Sequence, residues 1–214
     1  MVDHSETGFE RGTLIRADLH LHTRYSPDAS INPKTVVHQL YAHPTIKAAA
    51  ITDHDTLRGY HKVKQLAKPY PDLVVIPGVE VTSVGGHILA LGITRLPPKP
   101  WTAKKIIEFV RKNGGVSVAA HPYRPPGLGD AALDYNFDAV EVLNGISTPQ
   151  ANDRAKRLSR VMDLLGLAGS DAHHADQMWT VYTEVESSLE VNSILEAIRE
   201  GRVKVAYSKG SIHF

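Results

Sequence analysis

Apolar positions along the chain fall into short runs separated by stretches of helical periodicity. "TLIRADL" (13–19), "IKAAAIT" (46–52), "DLVVIP" (72–77), "VEVTS" (79–83), "HILALGI" (87–93), "VSVAAH" (116–121), "AVEVLN" (139–144), "LAGSD" (167–171), "TVYTEVE" (180–186) and "VKVAYS" (203–208) read as strands. "NPKTVVHQLYAH" (32–43) predicts a helix with Asn32 as N-cap, Pro33 in the first turn, and Val36, Val37, Leu40 and Tyr41 on the apolar face. Helical patterns recur over 56–68, 102–115, 148–166 and 189–201; Gly114-Gly115 ends the second of these four and Thr148-Pro149 opens the third. Pro77-Gly78 predicts a turn between two strands, and "YRPPGLGDAALDYN" (123–136) a rigid loop over one end of the fold.

Repeated strand–helix alternation points to a parallel sheet closed, or nearly closed, as a barrel. A chain of 214 residues accommodates one such barrel, and 42% hydrophobic residues supply its core without disulfides or a structural metal. Residues 13–214 are expected to form a single domain. Residues 1–12, "MVDHSETGFERG", are polar and lack the apolar centre of a signal peptide, so a short tail is expected there. No stretch approaches the ~18 apolar residues of a membrane span. The net charge of +1 gives no bulk attraction to nucleic acid or membrane, so no clear nucleic-acid-binding surface is expected. There is no cysteine, which excludes disulfides and thiolate metal sites and fits a cytoplasmic protein.

Histidine changes the picture, because there are 12. In α/β barrels chemistry collects at the C-terminal ends of the strands, and the ionisable residues cluster there. The first strand ends in His20 and His22. The second runs into Asp53, His54 and Asp55. Glu80, His87, His121, Glu141, Asn144, Asp171 and His173 follow at later strand ends. His-x-His on a strand puts two imidazoles on one face, roughly 7 Å apart, within reach of one ion. Asp18 is expected on that face one step back, placed to orient a ligand histidine. Imidazole and carboxylate without thiolate suit zinc, manganese or iron. Burying so many charges at one barrel mouth without a partner ion would be costly. His4, His38, His43, His61, His174 and His213 lie in tails or helix-like stretches and read as surface or packing residues.

The blocks "DLHLHT", "ITDHDT", "GVEVT", "GHILALG", "AHPYRP" and "GSDAHH", in this order, resemble the PHP (polymerase and histidinol phosphatase) family of metal-dependent phosphoesterases, from about residue 14 to 205. The resemblance implies a distorted seven-stranded β/α barrel with two or three divalent metals at the C-terminal mouth. It implies nine ligands: His20, His22, Asp28, His54, Glu80, His87, His121, Asp171 and His173. By the same resemblance His20, His22 and Asp171 serve one ion, Asp28, His54 and His173 a second, and Glu80, His87 and His121 a third, with Glu80 bridging. Two departures stand out. "YSPDAS" replaces the usual S-D-G around Asp28, and the short spacing from His121 to Asp171 leaves no room for an inserted subdomain.

The function expected is hydrolysis of a phosphate ester by a metal-activated hydroxide, on a nucleotide or small phosphorylated metabolite. Arg124 is the candidate phosphate clamp, with Arg24 second, because guanidinium meets phosphate bidentately. Asp53 is the other candidate catalytic group, acting with Asp55 as a partner of His54. Trp179 and Tyr123 are candidates for an apolar wall. The alternatives are a TatD-like or amidohydrolase-like metal hydrolase, a nuclease acting on oligonucleotide ends, and a non-enzymatic PHP-like subunit.

Overall fold

A computed structural model describes residues 13–208; the tail expected over 1–12 lies outside the described residues. The chain runs β1 (Leu14–Leu21), α1 (Pro33–Ala42), β2 (Ile46–Ile51), α2 (Arg58–Ala67), β3 (Val74–Ser83), β4 (Gly86–Leu91), α3 (Ala103–Lys112), β5 (Val116–Ala119), a short 3-10 helix (Gly129–Asp134), β6 (Ala139–Asn144), α4 (Pro149–Val161), β7 (Leu165–Gly169), β8 (Val181–Glu186), α5 (Val191–Arg199) and β9 (Val203–Tyr207).

The nine strands form one sheet in the order β7-β6-β5-β4-β3-β2-β1-β8-β9, so the seven-strand count is corrected to nine. The first half of β1, Leu14 to Ala17, is paired antiparallel with β8. The chain after β7 therefore reaches β1 only at its other end. There Asp171 N donates to His20 O (2.7 Å) and His22 N to Ala172 O (3.1 Å). The nine-stranded sheet thus curls into a nearly closed barrel, with β8 and β9 continuing it beyond β1.

Alternation along each strand divides the apolar residues into two layers. Val75, Val79, Ile88, Val140 and their neighbours pack outward under α1 to α4, while Ala17, Leu19, Ile76, Leu89, Val118 and Leu167 face inward with Ile194, Leu195 and Ile198 of α5. Gly92 (φ +82°) brings the chain so close to Leu195 that a Cβ there would collide with it. Side chains of Asn32, Thr102 and Thr148 cap α1, α3 and α4.

Three local expectations are corrected. Pro77-Gly78 is not a turn but the middle of β3: Pro77 pairs with Ile51 on one side, and Gly78 with Leu91 on the other. A Cβ on Gly78 would press on Thr52, so glycine here permits close strand packing. Second, β4 is antiparallel to both neighbours, because the connection from β3 is too short for a crossover and turns at Gly85 (φ +106°). Third, α4 ends at Val161 rather than 166. Asp163 takes a left-handed conformation (φ +53°), and Leu165–Gly169 pairs with β6 instead.

Gly169 sits at the closing seam, where a Cβ would collide with the backbone and Cβ of His20. Gly169→Val is expected to cost about 2 kcal/mol or more and to splay β7 from β1. Thermal unfolding and metal content of the purified variant, both lowered, check this.

Candidate metal centre

Inward-facing positions at the mouth end of the wall carry ionisable side chains where the lower positions carry Ala, Val and Leu. In β1 this requires a β-bulge. Asp18 pairs with Ala49 and Leu21 with Ile51, so β1 holds one extra residue between these rungs. Leu19 lies in the inner core, yet Leu21 lies in the outer one. The bulge thus turns His20 and His22 inward together. It also overturns the expected place of Asp18, which pairs with the outward-facing Ala49. Its Oδ1 accepts from His20 N (3.3 Å) and Ser170 N (2.8 Å), tying β1 to the chain after β7. Burial raises the Asp18 carboxyl to about 6, against these bonds.

The reversal of β4 matters in the same way. His87 is the second residue of its strand, and because β4 runs antiparallel, that start lies at the mouth, with His87 beside Thr82 of β3. His121 and Asp171 follow β5 and β7 in left-handed backbone conformations (φ +25° and +53°). Such geometry costs of order 1 kcal/mol or more for a non-glycine residue and is retained where the surroundings demand a particular side-chain direction.

The nine implied ligands converge. His20 Nε2 lies 3.2 Å from Glu80 Oε2 and from Asp171 Oδ1, and His22 Nε2 lies 3.1 Å from each of the same atoms. His54 Nε2 and His173 Nε2 lie 3.4 and 3.3 Å from Asp28 Oδ2. His87 Nδ1 and His121 Nε2 lie 2.8 and 2.9 Å from Glu80 Oε1. His20, His22, Glu80 and Asp171 form one group able to share an ion; His22, His54 and His173 form another, and His54, Glu80 and His87 a third. Glu80 thus sits in two groups and touches five imidazoles. Asp28 is the exposed member, 52% open on its side chain.

The donor set fits metal ions on two observations. Four imidazoles have Nδ1 occupied by an atom that is not itself a candidate ligand atom: His20 by Glu141 Oε1 (2.9 Å), His22 by Ser26 Oγ (2.9 Å), His121 by Arg124 O (3.1 Å) and His173 by the backbone carbonyl of Asp171 (2.8 Å). Each is thereby set to present the lone pair of Nε2 to the centre. In addition, Asp171 Oδ1, His54 Nδ1 and His87 Nδ1 are buried without a hydrogen-bond partner. His87 Nδ1 is 2.8 Å from Glu80 Oε1 yet not aligned to bond it. These atoms lack the partner that an ion would supply, Asp171 in the group with His20, His22 and Glu80, and His54 and His87 in the group with Glu80.

Without an ion, protons take over the same task. Burial works against charge on His20 and His22, but Asp171, Glu80 and Glu141 raise the first, and Asp171 and Glu80 lift the second to about 9. Burial would raise Glu80 and Asp171, yet the surrounding imidazoles hold both well below the usual carboxylate range.

Several partners were not assigned from sequence. Glu141 was noted only as a strand-end residue; it accepts from His20 and, through Oε2, from His121 N (2.7 Å) and Asn144 Nδ2 (3.0 Å). Asn144 also donates to Asp171 Oδ2 (3.0 Å). For Glu141 the signal was the inward alternation of "VEV"; Asn144 reaches the same face only because the pairing with β7 shifts between Glu141 and Leu143. Ser26 had no such signal, since it lies in a loop. Asp53 differs from its expected role beside His54: its carboxylate accepts from Thr23 N, Thr23 Oγ1 and Ser26 Oγ and reaches the centre through Ser26, which carries His22 and also accepts from His54 N. Gly59 leaves the space that this carboxylate fills. Asp55 instead accepts from Thr82 N (2.8 Å) and pins the end of β3.

Arg124 lies at the edge, with Nη2 bonded to Asp171 Oδ2. Arg24 is exposed on the loop after β1. Trp179 does not wall the mouth; it is buried, with Nε1 donating to Gln39 Oε1 (3.1 Å). His38, His61 and His174 are exposed, and His174 is held by Ser30. His4 and His213 lie outside the described residues.

Fold and site together define a metal-dependent hydrolase built on an α/β barrel. The PHP domain profile matches residues 18–124 and that of the PHP-associated region residues 149–203. The chain belongs to the PHP domain family. An uncharacterized protein of Methanocaldococcus jannaschii is 36% identical over 142 residues, which span 61% of this chain and 82% of that one. Among solved structures, PsfC from Pseudomonas syringae superposes with a TM-score of 0.68 at 18% identity, over 92% of this chain and 93% of that one. A candidate metal-dependent phosphoesterase from Bifidobacterium adolescentis gives 0.60 at 21%, over 73% and 87%. An amidohydrolase from Chromobacterium violaceum with bound sulfate gives 0.59 at 19%, over 74% and 87%. Among the described residues no helix is long and apolar enough to cross a membrane.

Two outcomes are expected. Glu141→Gln and Ser26→Ala should weaken metal affinity by about 10- to 100-fold, measured by competition with a chromogenic chelator. The second concerns pH. A histidine whose pKa is raised from 6.5 to about 9 on folding, as for His22, adds stability that is full below pH 6.5 and lost as pH rises through 9. His20 acts in the same sense. Glu80 and Asp171 are lowered, so their contribution is lost only in acid. The melting temperature of chelator-treated protein should therefore fall between pH 6.5 and 9. That of metal-loaded protein, whose imidazoles are already deprotonated, should change less.

Proposed function

We propose that this chain is a metal-dependent phosphoesterase that cleaves the phosphate ester of a nucleotide or small phosphorylated metabolite. The carrying observation is the convergence of nine imidazole and carboxylate side chains at the barrel mouth, with one guanidinium at its edge. The proposed assignment is two or three divalent ions of zinc, manganese or iron. His20, His22, Asp171 and Glu80 hold one, Asp28, His54 and His173 a second, and Glu80, His87 and His121 a third. Bound there, the ions would supply Lewis-acid stabilisation of phosphoryl charge and would lower the pKa of water towards neutrality.

The chain's own residues do the rest. Glu141, Asn144 and Ser26 fix the directions of His20, Asp171 and His22. Arg124 is the phosphate clamp: Nη2 is anchored on Asp171, and Nε is buried with no hydrogen-bond partner. A phosphoryl oxygen entering beside Asp171 meets the open edge of this guanidinium, whose side chain is 27% exposed, and gains a charge-assisted bond. The hydroxyls nearest the cluster are committed, Ser26 to Asp53 and His22, and Ser170 to His20 O (3.3 Å). Neither is poised as a nucleophile, which favours attack by water.

The test is a phosphate-release screen over phosphorylated metabolites and p-nitrophenyl phosphate, with manganese, iron and zinc in turn, run beside amide and lactone substrates. Release of phosphate alone supports the reading; turnover of amides or lactones alone overturns it. His20→Ala and Asp171→Ala should lower turnover by at least about 1,000-fold, the scale expected when ligation of a catalytic ion fails, with unchanged far-UV circular dichroism. Wild-type rates in either variant overturn the ligand assignment.

A further inference from the structure

We infer that a pocket on the outer face of the sheet, between the end of α1 and β8, binds a small oxyanion, a carboxylate or a phosphate, on Arg16 and His43. The pocket lies apart from the metal centre, and the inference does not depend on the phosphoesterase reading.

The pocket follows from the order of the elements. α5 succeeds β8 but packs Ile194, Leu195 and Ile198 into the inner layer, so it does not cover the outer face of that strand. Along β8, Tyr182, Glu184 and Glu186 are accordingly more open than Val181, Thr183 and Val185 between them. Register sets Arg16 of β1 against Glu184 on one side, and Lys204 of β9 against Glu184 on the other. Across from them the chain leaves α1 at His43 and turns through Pro44 into β2. Arg16, His43, Pro44, Thr45, Tyr182 and Ser208 enclose a cavity of about 310 Å³, the size of a small-metabolite site.

Its donors are oriented and unspent. Arg16 Nε donates to Glu184 Oε1 (3.1 Å), and the guanidinium lies 5.2 Å from the centre of the Tyr182 ring. These two contacts fix the plane of the fork. Among the described residues nothing accepts from its Nη1 or Nη2, and the side chain is 31% exposed. His43 Nδ1 accepts from the backbone N–H of Thr45 (3.2 Å) and of Ile46 (2.9 Å). A ring nitrogen that accepts carries no proton, so this imidazole is neutral and its N–H is on Nε2. Burial, Lys47 and Arg16 lower its pKa and keep it so. Arg16 is the one charged residue lining the cavity. Glu184 holds its Nε edge from outside and is answered by Lys204 opposite, while Lys47 adds positive charge near His43. An oxyanion in the cavity therefore meets a guanidinium edge and an imidazole N–H, with no carboxylate on the lining to repel it.

The experiment titrates succinate, and separately inorganic phosphate, into the ¹⁵N-labelled full chain near neutral pH. The readout is the indole N–H resonance of Trp179. Its ring centre lies 6.2 Å from that of His43, and its carbonyl accepts from Ser208 Oγ, so it stands directly behind two lining residues. Trp101, the other tryptophan, lines no part of the pocket and serves as internal reference. At least one of the two anions should shift Trp179 saturably, with a Kd on the order of 1 mM. Saturation by succinate alone identifies a carboxylate site, and by phosphate alone a phosphate site. Arg16→Gln should weaken that binding by about tenfold, the scale of one hydrogen bond to a charged group. Glu184→Gln keeps an acceptor for Arg16 Nε but removes the negative charge, so it should tighten binding. No saturable shift with either anion, or equal affinity in Arg16→Gln, overturns the inference. Weaker binding in both variants marks an ion pair that is merely structural and overturns it as well.

Discussion

The structure depends on the balance of charge in a small, water-poor volume at the barrel mouth. His20, His22, Glu80, His121, Glu141 and Asp171 are all nearly or fully buried there. Carboxylates in such a place are tolerable only among positive charges, and lone pairs of imidazole only when something accepts them. Protons meet the first need and metal ions meet both. The low pKa of Glu80 and the raised ones of His20 and His22 express the same fact from two sides.

That balance dictates the backbone around it. A bulge in β1, a reversed β4 and left-handed residues at His121 and Asp171 are each unfavourable or unusual locally. Each turns a ligand inward that regular geometry would have directed elsewhere. The inner layer of Ala, Val and Leu below supplies the rigid wall against which these deviations are held. Small residues complete the arrangement. Gly169 lets the seam close on His20, and Gly59 makes room for Asp53 under the loop that carries Ser26.

Outside the cluster, a ring of neutral and charged partners sets directions. Glu141, Asn144, Ser26 and the Arg124 carbonyl occupy the far atoms of the ligands. Tyr123, itself bonded to Asp130, stacks under Arg154 further out. The mouth thereby grades from buried ligands, through the half-buried Arg124, to exposed guanidinium.

Eight of the nine candidate ligands were legible as strand-end residues, which strand–helix alternation assigns to one face; Asp28, and the nine as a ligand set, were legible only through the resemblance of the sequence blocks to the PHP family. The same alternation determined the barrel class and most strands and helices, since period and burial are local properties of the chain. The seven-strand count, the Pro77-Gly78 turn, the parallel direction of β4 and the place of Asp18 were not legible. Each depends on which strand lies alongside: Pro-Gly is a turn or a strand interior according to its neighbours, and a single bulge reverses every side chain beyond it. Ser26 and Asp53 show the limit most clearly, because their link to His22 runs between residues brought together only by the folded loop. Sequence determined which groups were present at the mouth. Tertiary structure decided where they point, because direction is set by contacts between segments that are distant along the chain.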